Sequence, residues 1–183
     1  MTSIPRNLVE GFQRFRERHF ERNDSLFQQL VKQGQTPKTL VVACCDSRVD
    51  PALVFDCDPG DLFVVRNVAN LVPPLEEHSG HHGTTAAIEY GVSTLGVEHI
   101  IVLGHAQCGG IRSLFSGSGE SGSYINSWMR MAEKVHEEVR LEKFLRKKVS
   151  FRADPDDRVT AYLLVPAARA GKLPAVVCLH GAG

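Results

Sequence analysis

Two groups of side chains in this 183-residue sequence carry atoms that bind soft metal ions or hold protons. The first group is Cys44, Asp46 and Arg48, each two residues apart, and the second is His105 and Cys108. Zinc binds thiolate and imidazole, and a catalytic zinc site has three protein ligands and one position open to water. Cys44, His105 and Cys108 supply two sulfurs and one nitrogen, which matches that ligand set. A lone cysteine or histidine is usually a core or surface residue, but the two groups together favour a zinc site.

Each group follows a short apolar run that is typical of a buried strand. Residues 40–43 lead to Cys44 and residues 100–103 lead towards His105, while residues 62–65 form a third run. Valine-rich runs of this length favour strands buried on both faces. Parallel sheets place their chemistry at the carboxyl ends of the strands, where both groups lie. Residues 84–95 favour a helix that Gly96 closes.

The remaining patterns predict helices around the sheet. Residues 5–33 favour two helices separated by a capping break at residues 23–25, which pack on the core or form an arm against a partner subunit. Further helices are expected over residues 109–115 and from residue 124 to about residue 146. The predicted fold class is therefore α/β, a mostly parallel β-sheet flanked by helices, with an N-terminal helical arm.

Composition excludes several classes of partner. Lys plus Arg equals Asp plus Glu, at 21 each, and no basic stripe with interleaved aromatic residues is present, so we expect no nucleic-acid binding. No apolar stretch approaches the ~20 residues that span a bilayer, so we expect no membrane association. The N-terminus is too charged for a signal peptide. Five cysteines, two of them adjacent, favour reduced thiols or a metal site in the cytoplasm over disulfides.

The other cysteines and histidines receive weaker interpretations. Cys45 should point away from Cys44 because strand side chains alternate, and it is predicted to be a packed thiol. Cys57 and Cys178 receive no role. Three histidines favour a solvated, titrating loop, although a second metal cluster and a proton-transfer role remain alternatives. They are His78, His81 and His82.

The motifs Cys44-x-Asp46-Ser47-Arg48 and His105-x-x-Cys108-Gly109-Gly110 resemble those of the β-class carbonic anhydrases. Residues 59–70 and 87–90 are similar to the same family, and the resemblance extends from about residue 4 to residue 139. It implies a zinc enzyme that reversibly hydrates CO2 to bicarbonate and a proton through a zinc-bound hydroxide. It also implies that Asp46 accepts the hydroxide's hydrogen and that Arg48 orients Asp46.

The same resemblance implies a substrate pocket and an oligomer. Family members bind CO2 in an apolar pocket partly built across a dimer interface, at positions that match Gln35, Phe63, Val68 and Tyr90. Core packing is the alternative for the last three, and a plain turn position for Gln35. We therefore expect a homodimer or a higher homo-oligomer. In some relatives the counterpart of Asp46 becomes a fourth zinc ligand when bicarbonate binds elsewhere, and those relatives have a tryptophan where this chain has Val41. We therefore expect an open site with water as the fourth ligand and no bicarbonate switch.

The C-terminal residues depart from this family. Residues 149–183 resemble the opening strands of an α/β-hydrolase of the dienelactone hydrolase or acetyl-esterase type, but no Gly-x-Ser-x-Gly elbow is present, which argues against an esterase. We predict a zinc domain over residues 1–145 and a hydrolase-like tail over residues 146–183. Its strand-like runs, 160–165 and 175–179, are expected to pair on the sheet edge or to remain exposed. The alternative function is a folded but inactive zinc-binding module.

Overall fold

The computed structural model describes residues 4–21, 26–74, 82–116, 123–140, 144–154, 157–166 and 176–179. Several predicted features lie outside these residues. They are the capping break at 23–25, His78, His81 and the tail segments 167–175 and 180–183.

Six strands form a single sheet in the part of the chain that the structure describes. Their bounds are β1 Thr39–Cys44, β2 Leu62–Asn67, β3 His99–His105, β4 Phe144–Asp154, β5 Asp157–Pro166 and β6 Val176–Leu179. Their order across the sheet is β2-β1-β3-β6-β5-β4. The first four strands in this order pair in parallel, whereas β5 is antiparallel to both β6 and β4. The predicted α/β fold with a mostly parallel sheet is thus confirmed.

Strand β1 lies at the centre of the core because parallel strands cover both of its edges. Leu40, Val41 and Val42 are completely buried, as the valine-rich run predicts for a strand covered on both faces. The register places Ala43 opposite Arg66 of β2 and opposite Leu103 of β3. Since all three strands run in the same direction, their carboxyl ends meet at one edge of the sheet.

Six helices accompany the sheet among the described residues. Their bounds are α1 Arg6–Phe15, α2 Leu26–Gln33, α3 Pro51–Val54, α4 Gly83–Glu89, α5 Gly109–Ser116 and α6 Tyr124–Arg140. A π-helical turn extends α1 over Arg16–Phe20, and another extends α4 over Tyr90–Thr94. Gly96 has a positive φ of 66° just after this second turn, so the predicted glycine stop is confirmed. None of these helices combines the length and apolar character that a membrane crossing requires.

The two N-terminal helices form the predicted arm, and neither contains a buried residue. The ring of Phe15 packs edge-on against Phe27 with the centroids 4.9 Å apart, which joins α1 to α2. Leu30 of α2 lies against the turn at Gly60. Leu8 and Phe12 remain 60% and 61% exposed, so much of the apolar face of α1 is uncovered in the single chain.

The predicted helix from residue 124 to residue 146 is too long. Helix α6 ends at Arg140, and residues 144–146 belong to β4. Strand β4 pairs with β5 along almost its whole length, from Phe144 opposite Pro166 to Asp154 opposite Asp157. A long antiparallel pairing outweighs the local helix propensity of the charged residues around position 146, because propensity is a weak preference that tertiary contacts override.

The C-terminal strand β6 extends the sheet. It pairs in parallel with β3, with Val102 opposite Val176 and His105 opposite Leu179. Of the two arrangements expected for this run, pairing on the sheet edge is therefore the one observed.

Candidate metal centre

Three potential ligands meet at the carboxyl ends of β1 and β3. Cys44 is the last residue of β1, His105 is the last residue of β3, and Cys108 immediately precedes α5. Cys44 and His105 thus end their strands rather than follow them, which shifts the predicted positions by a residue or two. The ligand atoms of all three residues lie within 4.8 Å of one another. Strand pairing between β1 and β3, together with the short turn after β3, brings them together.

The two sulfurs are spaced as a tetrahedral zinc site requires. Cys44 Sγ and Cys108 Sγ are 3.9 Å apart, and both thiols are free. Two thiolates each ~2.3 Å from one tetrahedral ion would be about 3.8 Å apart. The side chains are 5% and 7% exposed, so the sulfurs face each other in a largely dry environment.

The third ligand, His105, presents a nitrogen with a free lone pair. Its Nδ1 lies 2.9 Å from the carbonyl oxygen of Ala106, and a carbonyl only accepts, so we assign the proton to Nδ1. Nε2 is buried and has no hydrogen-bond partner among the described residues. Buried polar atoms are normally paired. A metal ion would satisfy this nitrogen, since metal-binding histidines typically donate their other ring N–H to a carbonyl.

The electrostatics of the cysteine pair also favour a cation. Burial raises the pKa of the Cys108 thiol, and the nearby Cys44 raises it further, while backbone N–H groups of Ile111 and Gly110 lower it. A negative charge on Cys108 would be buried beside a second sulfur, so this thiol does not ionise easily without a compensating positive charge. A divalent ion supplies that charge and deprotonates the ligands. The donor set therefore fits zinc.

Asp46 and Arg48 form a two-point ion pair beside this cluster. Arg48 Nε donates to Asp46 Oδ1 at 2.8 Å and Arg48 Nη2 donates to Asp46 Oδ2 at 2.7 Å, while the Arg48 backbone N–H adds a bond of 3.0 Å to Oδ1. These hydrogen bonds hold the pKa of Asp46 well below its usual range. Asp46 Oδ2 is 3.9 Å from His105 Nε2. An ionised carboxylate oxygen in fixed orientation thus borders the ligand cluster.

A strained turn packs against the two cysteines. Residues Val68–Asn70 form a 3-10 turn in which Ala69 and Asn70 have positive φ values of 66° and 47°. Ala69 is completely buried and packs with Cys44 and Cys108. The side chain of Asn67 bonds both the N–H and the carbonyl of Leu71 at 2.8 Å, and Trp128 Nε1 donates to the carbonyl of Val68 at 2.7 Å. Side chains from two elements therefore hold this uncommon backbone in place.

We predict that Gly110→Ala destabilises the chain and disturbs this turn. A Cβ at position 110 would lie 2.8 Å from Val68 Cγ1 and 3.0 Å from Ala69 Cβ. Relieving such an overlap in a packed core costs about 1–3 kcal/mol, and the free energy of urea unfolding would measure it. Gly109→Ala is the matched control, because nothing lies within 4 Å of a Cβ there. Equal unfolding free energies for the two variants would show that the close approach does not matter.

Comparison with known proteins agrees with this geometry. The family model described as "Carbonic anhydrase" matches residues 39–163, which include all three candidate ligands. The chain belongs to the carbonic anhydrase family. It is 50% identical over 109 residues to "Beta carbonic anhydrase 5, chloroplastic" of Arabidopsis thaliana, a match that covers 58% of this chain and 36% of that protein. This carbonic anhydrase chain therefore spans about a third of the length of that plant relative.

Solved structures of β-carbonic anhydrases share the fold. The structure of the β-carbonic anhydrase CcaA superposes with a TM-score of 0.65 at 39% identity, covering 73% of this chain and 60% of that one. The β-carbonic anhydrases of Sordaria macrospora, described as tetrameric, superpose with a TM-score of 0.58 at 33% identity over 74% of this chain and 63% of theirs. The resemblance to the β class that the motifs carry is thus supported for the zinc-binding part of this family member.

The predicted pocket residues lie in different surroundings. Phe63 and Tyr90 form a ring pair with centroids 5.8 Å apart, and Tyr90 is 48% exposed. Val68 belongs to the strained turn and is 37% exposed, and Gln35 is exposed between α2 and β1. None of the three apolar residues is completely buried in the single chain, and core packing, the alternative interpretation, is compatible with lining a pocket.

In this carbonic anhydrase chain, Cys45 lies in other surroundings than predicted, and Arg66 has contacts that the sequence did not predict. Cys45 is exposed, so the prediction of a packed thiol is wrong. Strand alternation sets the side on which a residue lies, but not whether another element covers that side. Arg66 donates hydrogen bonds to the segment that carries Cys44 and Asp46. Its position at the end of a predicted strand was a usable signal, but its partners are set by tertiary contacts.

Proposed function

We propose that the chain catalyses the reversible hydration of CO2 to bicarbonate and a proton, with zinc held by Cys44, His105 and Cys108. The observation that carries the proposal is the buried Cys-His-Cys cluster, with ligand atoms within 4.8 Å of one another, beside the Asp46–Arg48 ion pair. Membership of the carbonic anhydrase family supports this chemistry. When bound, zinc supplies a Lewis acid that makes a hydroxide nucleophile available near neutral pH.

Asp46 orients the proton of the nucleophile. Because its pKa is held well below the usual range, the carboxylate stays ionised at neutral pH and only accepts hydrogen bonds. Oδ1 accepts two hydrogen bonds from Arg48, whereas Oδ2 accepts only one and keeps a second lone pair. Oδ2, at 3.9 Å from His105 Nε2, is the oxygen nearer the cluster and accepts the O–H of a water or hydroxide there. An O–H pointed at Asp46 leaves an oxygen lone pair free to face CO2.

Arg48 keeps Asp46 in this orientation and away from the ligand position. The guanidinium matches the carboxylate with two parallel hydrogen bonds, which restricts rotation of the carboxylate. Arg48 Nη2 also lies 3.3 Å from the carbonyl of Gln107, in the turn that carries His105 and Cys108. We propose that the site is open, with water rather than Asp46 as the fourth ligand, and that no bicarbonate switch operates.

The residues of the proposed CO2 pocket lie at two places along β2, with Val68 just past its carboxyl end and Phe63 near its amino end. Phe63, Val68 and Tyr90, together with Gln35, are its proposed members. CO2 has no net charge or dipole, so it partitions onto apolar surface rather than into a polar site. The ring pair of Phe63 and Tyr90 offers such a surface, and the half-exposed state of Tyr90 leaves it open to a further covering element.

A second copy of the chain is the proposed covering element. Val64 of β2 and Tyr90 and Val92 of the π-helical turn after α4 are 38%, 48% and 49% exposed in the single chain, so large apolar side chains are left uncovered. The related enzymes of Sordaria macrospora are described as tetrameric. We therefore propose a homodimer or a higher homo-oligomer. Free thiols at Cys44 and Cys108 support a reducing compartment, for which the cytoplasm is our proposal.

The division into a zinc domain over residues 1–145 and a hydrolase-like tail over residues 146–183 remains a prediction. The boundary falls inside β4, and β6 of the tail pairs with β3 of the zinc domain. The tail therefore contributes strands to the same sheet as the zinc domain, whether or not it derives from a hydrolase. The proposed ligands all precede the boundary.

Measuring zinc content and CO2 hydration on the same size-separated fractions tests the proposed function. We expect an oligomeric fraction with stoichiometric zinc whose hydration rate, followed by stopped-flow with a pH indicator, greatly exceeds the uncatalysed rate. A chain that binds zinc in every fraction but hydrates no CO2 would instead be the inactive zinc-binding module. An activated ester is not a suitable substrate for this test, since zinc chemistry also cleaves such esters.

A further inference from the structure

Arg66 contacts the segment that carries two of the proposed site residues. It lies near the end of β2, opposite Ala43 of β1, and its side chain is 26% exposed. Its Nε donates to the carbonyl of Cys44 at 2.9 Å and its Nη2 donates to the carbonyl of Asp46 at 2.8 Å. One guanidinium group thus joins the backbone of a ligand to the backbone of the neighbouring carboxylate residue.

A third hydrogen bond connects the same guanidinium to the far end of the segment. Arg66 Nη1 donates to Asp50 Oδ2 at 2.8 Å, and Asp50 Oδ1 accepts the backbone N–H of Ala52 at 3.1 Å, which caps the start of α3. Residues 45–50 have no regular secondary structure between β1 and α3. The three acceptors of Arg66 therefore lie at the beginning, middle and end of an irregular segment.

We propose that Arg66 is a positioning residue that sets the relative placement of Cys44 and Asp46. The inference rests on the proposed function only for its effect on catalysis, since the contacts themselves do not involve zinc. Three donors of one planar group reach three separate acceptors, which the ammonium of lysine cannot reproduce. Arg48 orients the carboxylate of Asp46 from the side-chain end, whereas Arg66 holds the backbone from which that carboxylate projects.

Two effects follow from loosening this segment. Cys44 would be less well placed for zinc, and residues that orient metal ligands typically change metal affinity or activity by about 10–100-fold. Asp46 would lose its fixed orientation, which lowers kcat. Phe63 and Tyr90 do not depend on Arg66 for their contact, so KM for CO2 should change far less than kcat.

Arg66→Lys in the full chain tests the inference, with Arg14→Lys as the matched control on the exposed surface of α1. In the zinc-free protein we expect the amides of Cys45 and Val49, which donate to the carbonyls of Asn67 and Asp46, to exchange hydrogen at least about 10-fold faster. Amides in the centre of β1 should exchange as before. Zinc affinity, measured by competition with a chelator, should fall about 10–100-fold, and kcat should fall with KM nearly unchanged.

Asp50→Asn is a milder second variant if Arg66→Lys does not fold. Asparagine still caps α3 but cannot accept from Arg66 with its amide nitrogen, so one of the three contacts is lost and smaller changes in the same directions are expected. Unchanged amide exchange and zinc affinity in the variants would overturn the positioning role while leaving the proposed function intact. If the unmodified chain binds no zinc, the proposed function fails, and the exchange of Cys45 and Val49 still decides whether Arg66 holds the segment.

Discussion

Cys108→Ser is expected to remove zinc from the purified chain and to abolish CO2 hydration with it. Cys108 is 7% exposed and its sulfur lies 3.9 Å from that of Cys44. Serine preserves the size of the side chain, but a hydroxyl does not ionise near neutral pH as a metal-bound thiol does. Removing one of three ligands also leaves Cys44 and His105 without the geometry that holds a tetrahedral ion. Elemental analysis of the gel-filtered protein, with CO2 hydration on the same sample, measures both effects.

Cys57→Ser is the control for this substitution. Cys57 is a free, partly buried cysteine whose Sγ contacts the carbonyl of Phe55, outside the ligand cluster. The Cys57→Ser variant should retain stoichiometric zinc and full hydration activity. Retention of stoichiometric zinc by Cys108→Ser would remove that residue from the ligand set.

Asp46→Asn is expected to lower kcat for CO2 hydration by about 10²–10⁴-fold while zinc content stays unchanged. Asparagine has the shape of aspartate but only one acceptor oxygen, and its amide nitrogen donates where Asp46 accepts. Since Arg48 bonds both oxygens of Asp46, the substituted amide cannot form the same two-point pair. It therefore neither holds its orientation nor presents a charged acceptor beside His105. Stopped-flow hydration rates on zinc-analysed protein measure this effect.

The matched control is Asp58→Asn, at an exposed carboxylate in the turn before β2. Its kcat and zinc content should equal those of the unmodified chain. If Asp46→Asn keeps its full kcat, the carboxylate takes no part in the reaction, and the zinc ligands alone would account for activity. Loss of zinc in Asp46→Asn would instead identify Asp46 as a ligand and contradict the open site.

The three potential ligands were predictable because residue type and strand pattern point to the same place. Apolar runs before Cys44 and His105 predict parallel strands, and the carboxyl ends of adjacent parallel strands lie together. The structure pairs β1 directly with β3, which brings these residues within reach of one another. Cys108 follows His105 after a short turn, so its position close to the other two ligands could be predicted from the local sequence.

Long-range contacts explain what the sequence did not reveal. Trp128 donates its indole N–H to the carbonyl of Val68, and Ala69 takes a positive φ of 66° that its residue type does not favour. The indole contact depends on how α6 packs against the turn after β2, and the positive φ of Ala69 has no local pattern in the sequence. Strand β4 was missed for a similar reason, because its pairing with β5 outweighs a helix-like local sequence.

The pocket residues were only partly predictable. Their distance along the sequence from the motifs does not show which other side chains or subunits cover them. The ring pair of Phe63 and Tyr90 shows that two of these positions are neighbours. Tyr90 remains 48% exposed, however, as a residue at a subunit interface would be in an isolated chain. The extent of the pocket therefore depends on the proposed oligomer as well as on the fold of one chain.

X-ray absorption at the zinc edge of the purified 183-residue chain tests the ligand set most directly. We expect two sulfur neighbours at about 2.3 Å and two nitrogen or oxygen neighbours at about 2.0–2.1 Å, the latter being His105 and a water molecule. A shell of four sulfurs, a shell without sulfur, or a protein that contains no stoichiometric zinc would contradict this ligand set.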